Sequence, residues 1–219
     1  MRLALSGLLA LAASASVASA QLTNGSFESA TVNPGSGFTT HSAGSTDITG
    51  WTVYRANIDY IGGFWPASDG ARSLDMNGDQ GFGGIYQAVT LGAGSLYRLQ
   101  FDQSSNGTSS STIRVYYAPS IGDLANPSAL TQAFNWTFPV GGTGMGWQTQ
   151  TWDFTAGFAS GVLAFESASG GTANGPALDN VRLNVLRAAE TTVPEPSTYA
   201  LLASGLAALG MVARRRARG

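Results

Sequence analysis

The sequence predicts an all-β protein built as a β-sandwich, and three observations support that fold class. The chain contains short runs rich in β-branched and aromatic residues. Within each run, apolar and polar residues alternate with a period of two, which is the period of a β-strand. Turn-forming sequences such as Asn106-Gly107 separate these runs. The segment between the two hydrophobic termini shows no helical period. Many short strands joined by glycine-containing turns are typical of two sheets packed face to face.

The predicted strands extend from residue 47 to residue 186. They cover residues 47–54, 71–76, 84–90, 96–103, 112–117, 132–138, 148–154, 162–166 and 177–186. In the fourth run, Tyr97, Leu99 and Phe101 alternate with other residues and are predicted to face the core. The sequence Asn77-Gly78 predicts a hairpin turn. A calcium loop is the weaker interpretation of residues 75–86, because the glycine comes one place late and no glutamate stands at the twelfth position.

The N-terminal residues 1–20 have the three parts of a secretory signal peptide. Arg2 supplies the positive charge, residues 3–13 form the apolar core, and small residues at 18–20 precede the expected cleavage. The apolar core is too short to span a bilayer. We therefore expect the mature chain to begin at Gln21.

The C-terminal residues 194–219 combine a polar motif, an uncharged run at residues 199–213 and a basic end. The residues that define this tail are Pro194, Glu195, Pro196, Arg214, Arg215 and Arg216. Their order predicts a transmembrane helix that stops with its arginines in the cytoplasm. The span is marginal, because the uncharged run covers roughly 22 Å against a hydrocarbon core of about 30 Å. An amphipathic or buried helix is the alternative.

This tail resembles the PEP-CTERM sorting signal of Gram-negative bacteria. The resemblance implies that an exosortase processes the chain near the Pro-Glu-Pro motif, so that anchoring in the membrane is temporary. It also implies an inner-membrane intermediate that is delivered to the cell surface or the extracellular matrix. Residues 188–193 are expected to form a polar linker between the sandwich domain, residues 21–187, and the sorting segment.

The composition of residues 21–193 excludes several classes of function. Without cysteine, the domain has no disulfide or thiolate chemistry, and His41 alone cannot supply a zinc site that needs several His or Cys ligands. Six arginines oppose twelve carboxylates, which gives a net charge of about −6. That charge excludes nucleic acid as a partner and suits calcium or neutral polymers.

The domain itself resembles the choice-of-anchor C family of bacterial surface proteins. The resemblance is carried by Leu-Thr-Asn-Gly-Ser-Phe-Glu at residues 22–28, by Ala-Leu-Asp-Asn-Val at residues 177–181, and by residues 50–53, 58–61, 71–78, 84–87 and 97–101. It covers most of residues 21–186 and is thin at residues 119–161. It implies a galactose-binding-like jelly roll whose first and last strands lie side by side.

The same resemblance implies a structural Ca²⁺ ion. Matching positions assign Glu28 and Asp179 as ligands, with Asn24 as a third. Calcium takes hard oxygen ligands of this kind. The alternative is that Glu28 and Asp179 only accept hydrogen bonds from the backbone near the termini.

Aromatic side chains are the candidates for binding carbohydrate. Trp65, Tyr60, Trp51 and Trp136 are the predicted contacts. Trp65 follows Gly-Gly-Phe and precedes proline, so it is expected to be an exposed loop ring on which a sugar could stack. Each such ring would contribute only about 1 to 1.5 kcal/mol. The alternative is that Trp65 closes one end of the sandwich.

These observations predict an exported, non-catalytic protein that binds extracellular polysaccharide. A structural matrix protein without a sugar site is the first alternative. A glycoside hydrolase is the second, because carboxylates are present, but no spacing singles out an acid–base pair. A serine hydrolase could use only His41, and no serine has the surroundings of a nucleophile elbow. The protein is therefore not expected to be an enzyme.

Overall fold

The computed structural model describes residues 22–106, 110–125, 131–138, 145–169, 173–189 and 196–218. It divides into two compact units, residues 1–189 and residues 190–219. All strands belong to the first unit, and the second contains the C-terminal helix. The predicted signal peptide, residues 1–20, lies outside the described residues, as do Pro194 and Glu195.

The first unit is a jelly-roll β-sandwich, which confirms the predicted fold class. Its strands in chain order are β1 (Phe38–His41), β2 (Thr52–Arg55), β3 (Ile58–Ile61), β4 (Ser73–Asp75), β5 (Asn77–Gly78), β6 (Gly81–Thr90), β7 (Leu96–Ser105), β8 (Ser111–Ala118), β9 (Gln132–Phe138), β10 (Gln148–Thr155), β11 (Ser160–Ser167) and β12 (Pro176–Arg187). The first sheet has the order β1-β3-β4-β12-β7-β10, and the second has the order β2-β6-β11-β8-β9, with β5 paired to β6. A short 3-10 helix, Ile121–Leu124, follows β8.

The core lies between the two sheets and is rich in aromatic side chains. Tyr97, Leu99 and Phe101 of β7 are fully buried, as the alternating pattern predicts. The ring of Phe101 meets that of Phe165 on β11 with centroids 5.4 Å apart, in an edge-to-face arrangement. The ring of Trp51 packs on the same phenylalanine at 6.1 Å. These contacts join the two sheets at the centre of the domain.

The N-terminal segment contacts the last strand without forming a strand of its own. The amide of Val181 on β12 donates to the carbonyl of Gly25 at 2.8 Å. A Cβ at Gly25 would overlap the carbonyl oxygen of Val181, so only glycine fits this approach. The expectation that the first and last strands lie side by side is wrong, because β1 pairs with β3 and β12 lies between β4 and β7. Left-handed conformations at Asn24 and Phe27 prevent the N-terminal segment from continuing as a strand.

The predicted hairpin at Asn77-Gly78 is present, with its turn two residues further along the chain. Asn77 pairs with Phe82 and Gly78 pairs with Gly81, so the chain reverses at residues 79–80. The strand predicted at residues 47–54 is shorter in the structure. It begins only at Thr52, after Gly50 in the left-handed region at φ 84°.

The second unit contains the helix α1 (Pro196–Arg216), with Arg214, Arg215 and Arg216 in its last turn. This is the predicted C-terminal helix. None of the helices in the described ranges is long and apolar enough to cross a membrane, so the predicted membrane span is not found.

The packing of Phe165 leads to the first prediction. Replacing Phe165 by alanine removes a buried ring that contacts both Trp51 and Phe101, and we expect the free energy of unfolding to fall by about 3 to 5 kcal/mol. The control is Phe64→Ala, because that ring is 57% exposed. We expect this substitution to lower the free energy of unfolding by less than about 1 kcal/mol. Urea denaturation measures both values. Equal losses would contradict this description of the core.

Candidate functional site

A groove with a volume of about 460 Å³ lies on the outer face of the second sheet. Strand register places Tyr54, Glu166 and Arg114 side by side there, with Gly84 between Tyr54 and Glu166. This face is opposite to the one that packs in the core. We call this site the Glu166 groove, and its lining residues include Tyr54, Arg55, Arg114, Tyr116, Glu166 and Leu124.

Glu166 organises the groove because its buried carboxylate needs several donors. Its Oε2 accepts from the hydroxyl of Tyr54 at 3.1 Å and forms an ion pair with Arg55 at 2.8 Å. Its Oε1 accepts from Arg114 and from the hydroxyl of Tyr116, each at 3.1 Å. A buried carboxylate is stable only when it is paired in this way. The four donor side chains are consequently held in fixed positions.

Gly84 makes room for one of these donors. A Cβ at Gly84 would overlap the ring of Tyr54, which crosses this glycine so that its hydroxyl reaches Glu166. The ring of Tyr54 also meets that of Tyr86 edge to face, with centroids 5.9 Å apart. Both rings are partly exposed, so the groove has aromatic surface next to its charged groups.

Arg55 reaches the groove through an unusual backbone conformation. Strict alternation after the outward Tyr54 would direct Arg55 to the opposite face of the sheet. Arg55 instead has φ 69°, in the left-handed region, and its guanidinium pairs with Glu166. For a residue other than glycine this conformation costs roughly 1 to 2 kcal/mol. In this conformation the guanidinium comes within 2.8 Å of Glu166 Oε2.

The tyrosine hydroxyls of the groove act as hydrogen-bond donors. Burial raises the pKa of the Tyr54 hydroxyl, and the nearby charge of Glu166 raises it further. Burial likewise raises the pKa of Tyr116. Both hydroxyls therefore stay protonated at neutral pH and act as donors. Among the lining side chains of the described chain, Glu166 is the only carboxylate, whereas most glycosidases use two.

The outer face of the first sheet has a different character, because four buried aspartates lie on it. Asp59 on β3 is directly opposite Asp75 on β4, and Asp179 on β12 is opposite Asp102 on β7. Residues 66–72 run over this face, where the indole of Trp147 donates to the carbonyl of Pro66 at 3.0 Å. We call residues 66–72 the covering loop.

The two predicted calcium ligands Glu28 and Asp179 both hold the covering loop. Asp179 Oδ2 accepts from the amides of Ser68 and Asp69 at 2.7 and 2.9 Å. Glu28 Oε1 accepts from the amides of residues 71 and 72, each at 2.8 Å. These oxygens thus face N–H donors, and no group of three or more acidic or histidine side chains that could hold a metal occurs in the described residues. Calcium at these residues stays a prediction.

Asn24, the third predicted ligand, is turned toward a different part of the chain. Its amide nitrogen donates to the carbonyls of Ser29 and Thr49 at 2.8 and 3.0 Å, and its oxygen accepts from the amide of Ser29 at 3.0 Å. The side chain therefore stabilises the N-terminal turn. These hydrogen bonds of Asn24 are with Ser29 and Thr49 and include neither Glu28 nor Asp179.

Three of the four predicted carbohydrate contacts are buried. Trp51 and Tyr60 belong to the core, where Trp51 donates to the carbonyl of Asn24 and Tyr60 to that of Phe27. Trp65 is only 9% exposed and donates to the hydroxyl of Ser73 at 2.9 Å, so the expectation of an exposed ring is wrong.

The exposed ring of that loop is Phe64, which packs on Trp65. Trp136, on β9, is 38% exposed, and its role as a sugar contact stays a prediction. It does not line the Glu166 groove.

Sequence reasoning missed the groove, although the sequence holds signals for it. Glu166 is the one charged residue of β11 and follows the apolar residues 162–165, and such a residue requires partners in the fold. Arg114 and Tyr116 are two residues apart on β8, so they share a face. The sequence could not reveal that these strands are neighbours.

Comparison with known proteins places this surface-sorted β-sandwich in a family. Residues 192–216 match the PEP-CTERM protein-sorting motif, which confirms the predicted sorting signal and makes this an exported, surface-sorted protein. Residues 20–184 match the family described as "Protein of unknown function (DUF642)", and the chain belongs to that family. The resemblance to the choice-of-anchor C family is not confirmed.

One relative is halomucin of Haloquadratum walsbyi, which is 30% identical over 164 residues. The match covers 73% of this chain and 2% of halomucin, so the chain corresponds to a small part of that protein.

Similar solved structures include TmCBM61 in complex with beta-1,4-galactotriose, with 15% identity and a TM-score of 0.47 over 75% of this chain and 97% of that one. The CBM22-1 xylan-binding domain of Paenibacillus barcinonensis Xyn10C has 17% identity and a TM-score of 0.45 over 69% and 95%. The enzymatically active domain of bacteriophage CBA120 tailspike protein 4 has 14% identity and a TM-score of 0.46 over 72% and 21%. The galactotriose and the xylan in these names refer to those proteins and not to this chain.

The buried aspartates predict a pH dependence of stability. Burial raises the pKa of Asp75 to about 7, and burial also raises the pKa of Asp179 to about 7. The folded protein therefore binds these protons more tightly than the unfolded chain, and the stabilisation is lost as pH rises from about 4 through about 7. We expect the melting temperature to fall by roughly 10 °C between about pH 5 and about pH 8.

Two variants test whether the buried aspartates cause this pH dependence of the melting temperature. Asp75→Asn imitates the protonated side chain and should remove about half of the dependence, because Asp179 still titrates. Asp153→Asn is the control, because the hydrogen bond from Arg98 lowers the pKa of Asp153 and that group does not titrate in this range. Differential scanning calorimetry measures the three proteins. A melting temperature that rises with pH over this range would refute the prediction.

Calcium binding has its own test. If Glu28 and Asp179 hold the ion, a chelator should lower the melting temperature of the wild type by several degrees and should leave Asp179→Asn unchanged. Thermal unfolding in calcium and in chelator provides the comparison. If the covering loop depends on hydrogen bonds alone, the chelator will change neither protein.

Proposed function

We propose that this exported protein binds extracellular polysaccharide without cleaving it, and that the Glu166 groove is the binding site. The observation that supports this proposal is the groove itself, in which one buried carboxylate fixes two guanidinium groups and two tyrosine hydroxyls on an outward face. Its volume of about 460 Å³ is of the size that small ligands occupy.

The chemistry of the groove suits a sugar. Sugar hydroxyls both donate and accept hydrogen bonds, and they can pair with the guanidinium, hydroxyl and carboxylate groups present. The partly exposed rings of Tyr54 and Tyr86 can cover the apolar side of a sugar ring. Because Glu166 fixes its four partners beforehand, binding orders few side chains. A single site would still be weak, and many copies on a surface would bind a polymer through avidity.

The sorting tail supports the extracellular part of the proposal. Exosortase is the partner that the motif implies, and we propose that it removes the tail near Pro194 after an intermediate at the inner membrane of a Gram-negative bacterium. Contact with the membrane through the C-terminal helix would then be transient. The mature domain would remain at the cell surface or in the extracellular matrix. Its net charge of about −6 does not suit nucleic acid.

A polysaccharide array tests the proposal with the wild type and two variants. Tyr54→Ala removes a ring and a donor from the groove, and we expect it to lower the affinity for the bound polymer by about tenfold. Trp136→Ala removes the exposed aromatic candidate outside the groove and should bind like the wild type. Thermal unfolding of each variant confirms that it is folded.

Each alternative function would give a different result. Loss of binding in Trp136→Ala but not in Tyr54→Ala would place the site on β9 and contradict the groove. A protein that binds no polymer would favour a structural role in the matrix. Release of reducing ends from a bound polymer would identify a glycoside hydrolase.

A further inference from the structure

We infer that the Glu166 groove selects acidic saccharides, and that Arg55 and Arg114 bind the carboxylate of a uronic acid unit. This inference rests on the proposed function, in which the groove binds polysaccharide. It goes further by naming the chemical class of the ligand and the two residues that recognise it.

The lining of the groove has an excess of positive charge. Two guanidinium groups lie against the single carboxylate of Glu166, so the lining described here has one positive charge in excess. The nearby Asp123 on the 3-10 helix does not line the groove, and its carboxylate accepts from the hydroxyl of Ser120 at 2.7 Å. The rest of the domain is strongly acidic. A local positive site on an acidic domain favours an anionic ligand at that place.

Glu166 does not need both arginines as partners. Without Arg55, the carboxylate would still accept from Tyr54, Arg114 and Tyr116. Yet Arg55 adopts a left-handed backbone conformation while its guanidinium reaches the groove. Strained residues of this kind occur where function requires the side chain in one place. The second guanidinium is therefore explained better by a charge on the ligand than by the burial of Glu166.

Arg55 and Arg114 both have N–H donors available for a ligand. A guanidinium has five N–H groups in a planar fork that fits a carboxylate. The ion pair of Arg55 with Glu166 uses its Nη1, and Arg114 uses Nε toward Asn135 and Nη1 toward Tyr116 and Glu166. The side chains of Arg55 and Arg114 are 41% and 39% exposed. Both can therefore contact a ligand while they remain bonded to Glu166.

The experiment compares the binding of the full chain to matched polymers that differ only in charge. Polygalacturonate, alginate and a β-glucuronan are each paired with the methyl ester of the same polymer, and isothermal titration calorimetry measures the affinities. We expect at least one acidic polymer to bind about tenfold more tightly than its ester, with a preference that falls as salt rises. If none of the three pairs shows such a preference, the inference is overturned.

Arginine variants test whether the preference for acidic polymers arises in the Glu166 groove. Arg55→Gln should abolish most of the preference, whereas Arg55→Lys retains the charge and should keep part of it. Arg98→Gln is the matched control, because Arg98 pairs with Asp153 on the first sheet, and the preference should not change. A preference that survives in Arg55→Gln and in Arg114→Gln would overturn the assignment to these residues.

The outcomes also separate this inference from the proposed function. Equal binding of acidic and esterified polymers that is lost in Tyr54→Ala would retain the groove as a sugar site and overturn the selection for acid. The absence of binding to any of the six polymers would overturn the selection for acid, and the array with neutral polysaccharides would then decide whether the groove binds sugar at all.

Discussion

The packing of aromatic rings between the two sheets, with Phe101 against Phe165 at the centre, is the contact on which the rest of the structure depends. Because the apolar side chains of both sheets face each other, polar groups with a role in recognition have to lie on the outer faces. Each outer face carries buried carboxylates, which is unusual for side chains that normally prefer water. The two faces provide different hydrogen-bond donors for these carboxylates. This difference determines which face is closed and which is open to a ligand.

On the first sheet, the donors to the buried aspartates are neutral. Backbone amides hold Asp179, and hydroxyl and amide side chains hold Asp102. This surface is partly closed, because Ser68 and Asp69 of the covering loop supply some of these donors. On the second sheet, Glu166 is paired with guanidinium groups that remain partly in solvent. That surface stays open, and for this reason the groove rather than the aspartate face is suited to bind a ligand.

Local patterns in the sequence predicted a large part of this molecule. The period of two identified the core face of β7, and a short motif identified the sorting tail. The Asn77-Gly78 sequence predicted the β5–β6 hairpin but not the position of its turn, which lies at residues 79–80. The same reasoning misplaced Trp65, since the burial of a loop ring depends on what the loop packs against, here Ser73 and the first sheet. The groove was out of reach because Tyr54, Arg114 and Glu166 are far apart in sequence and meet only through strand pairing. No local pattern contains the order of strands in a sheet.

The approach of Gly25 to Val181 has a consequence for the biogenesis of the protein. This contact joins the first residues of the domain to its last strand. Gly25 and Val181 are separated in sequence by almost the whole length of the domain. A nascent chain emerging from its N-terminus cannot make the contact until nearly all strands are available. The domain therefore completes its native structure only after β12 has been synthesised.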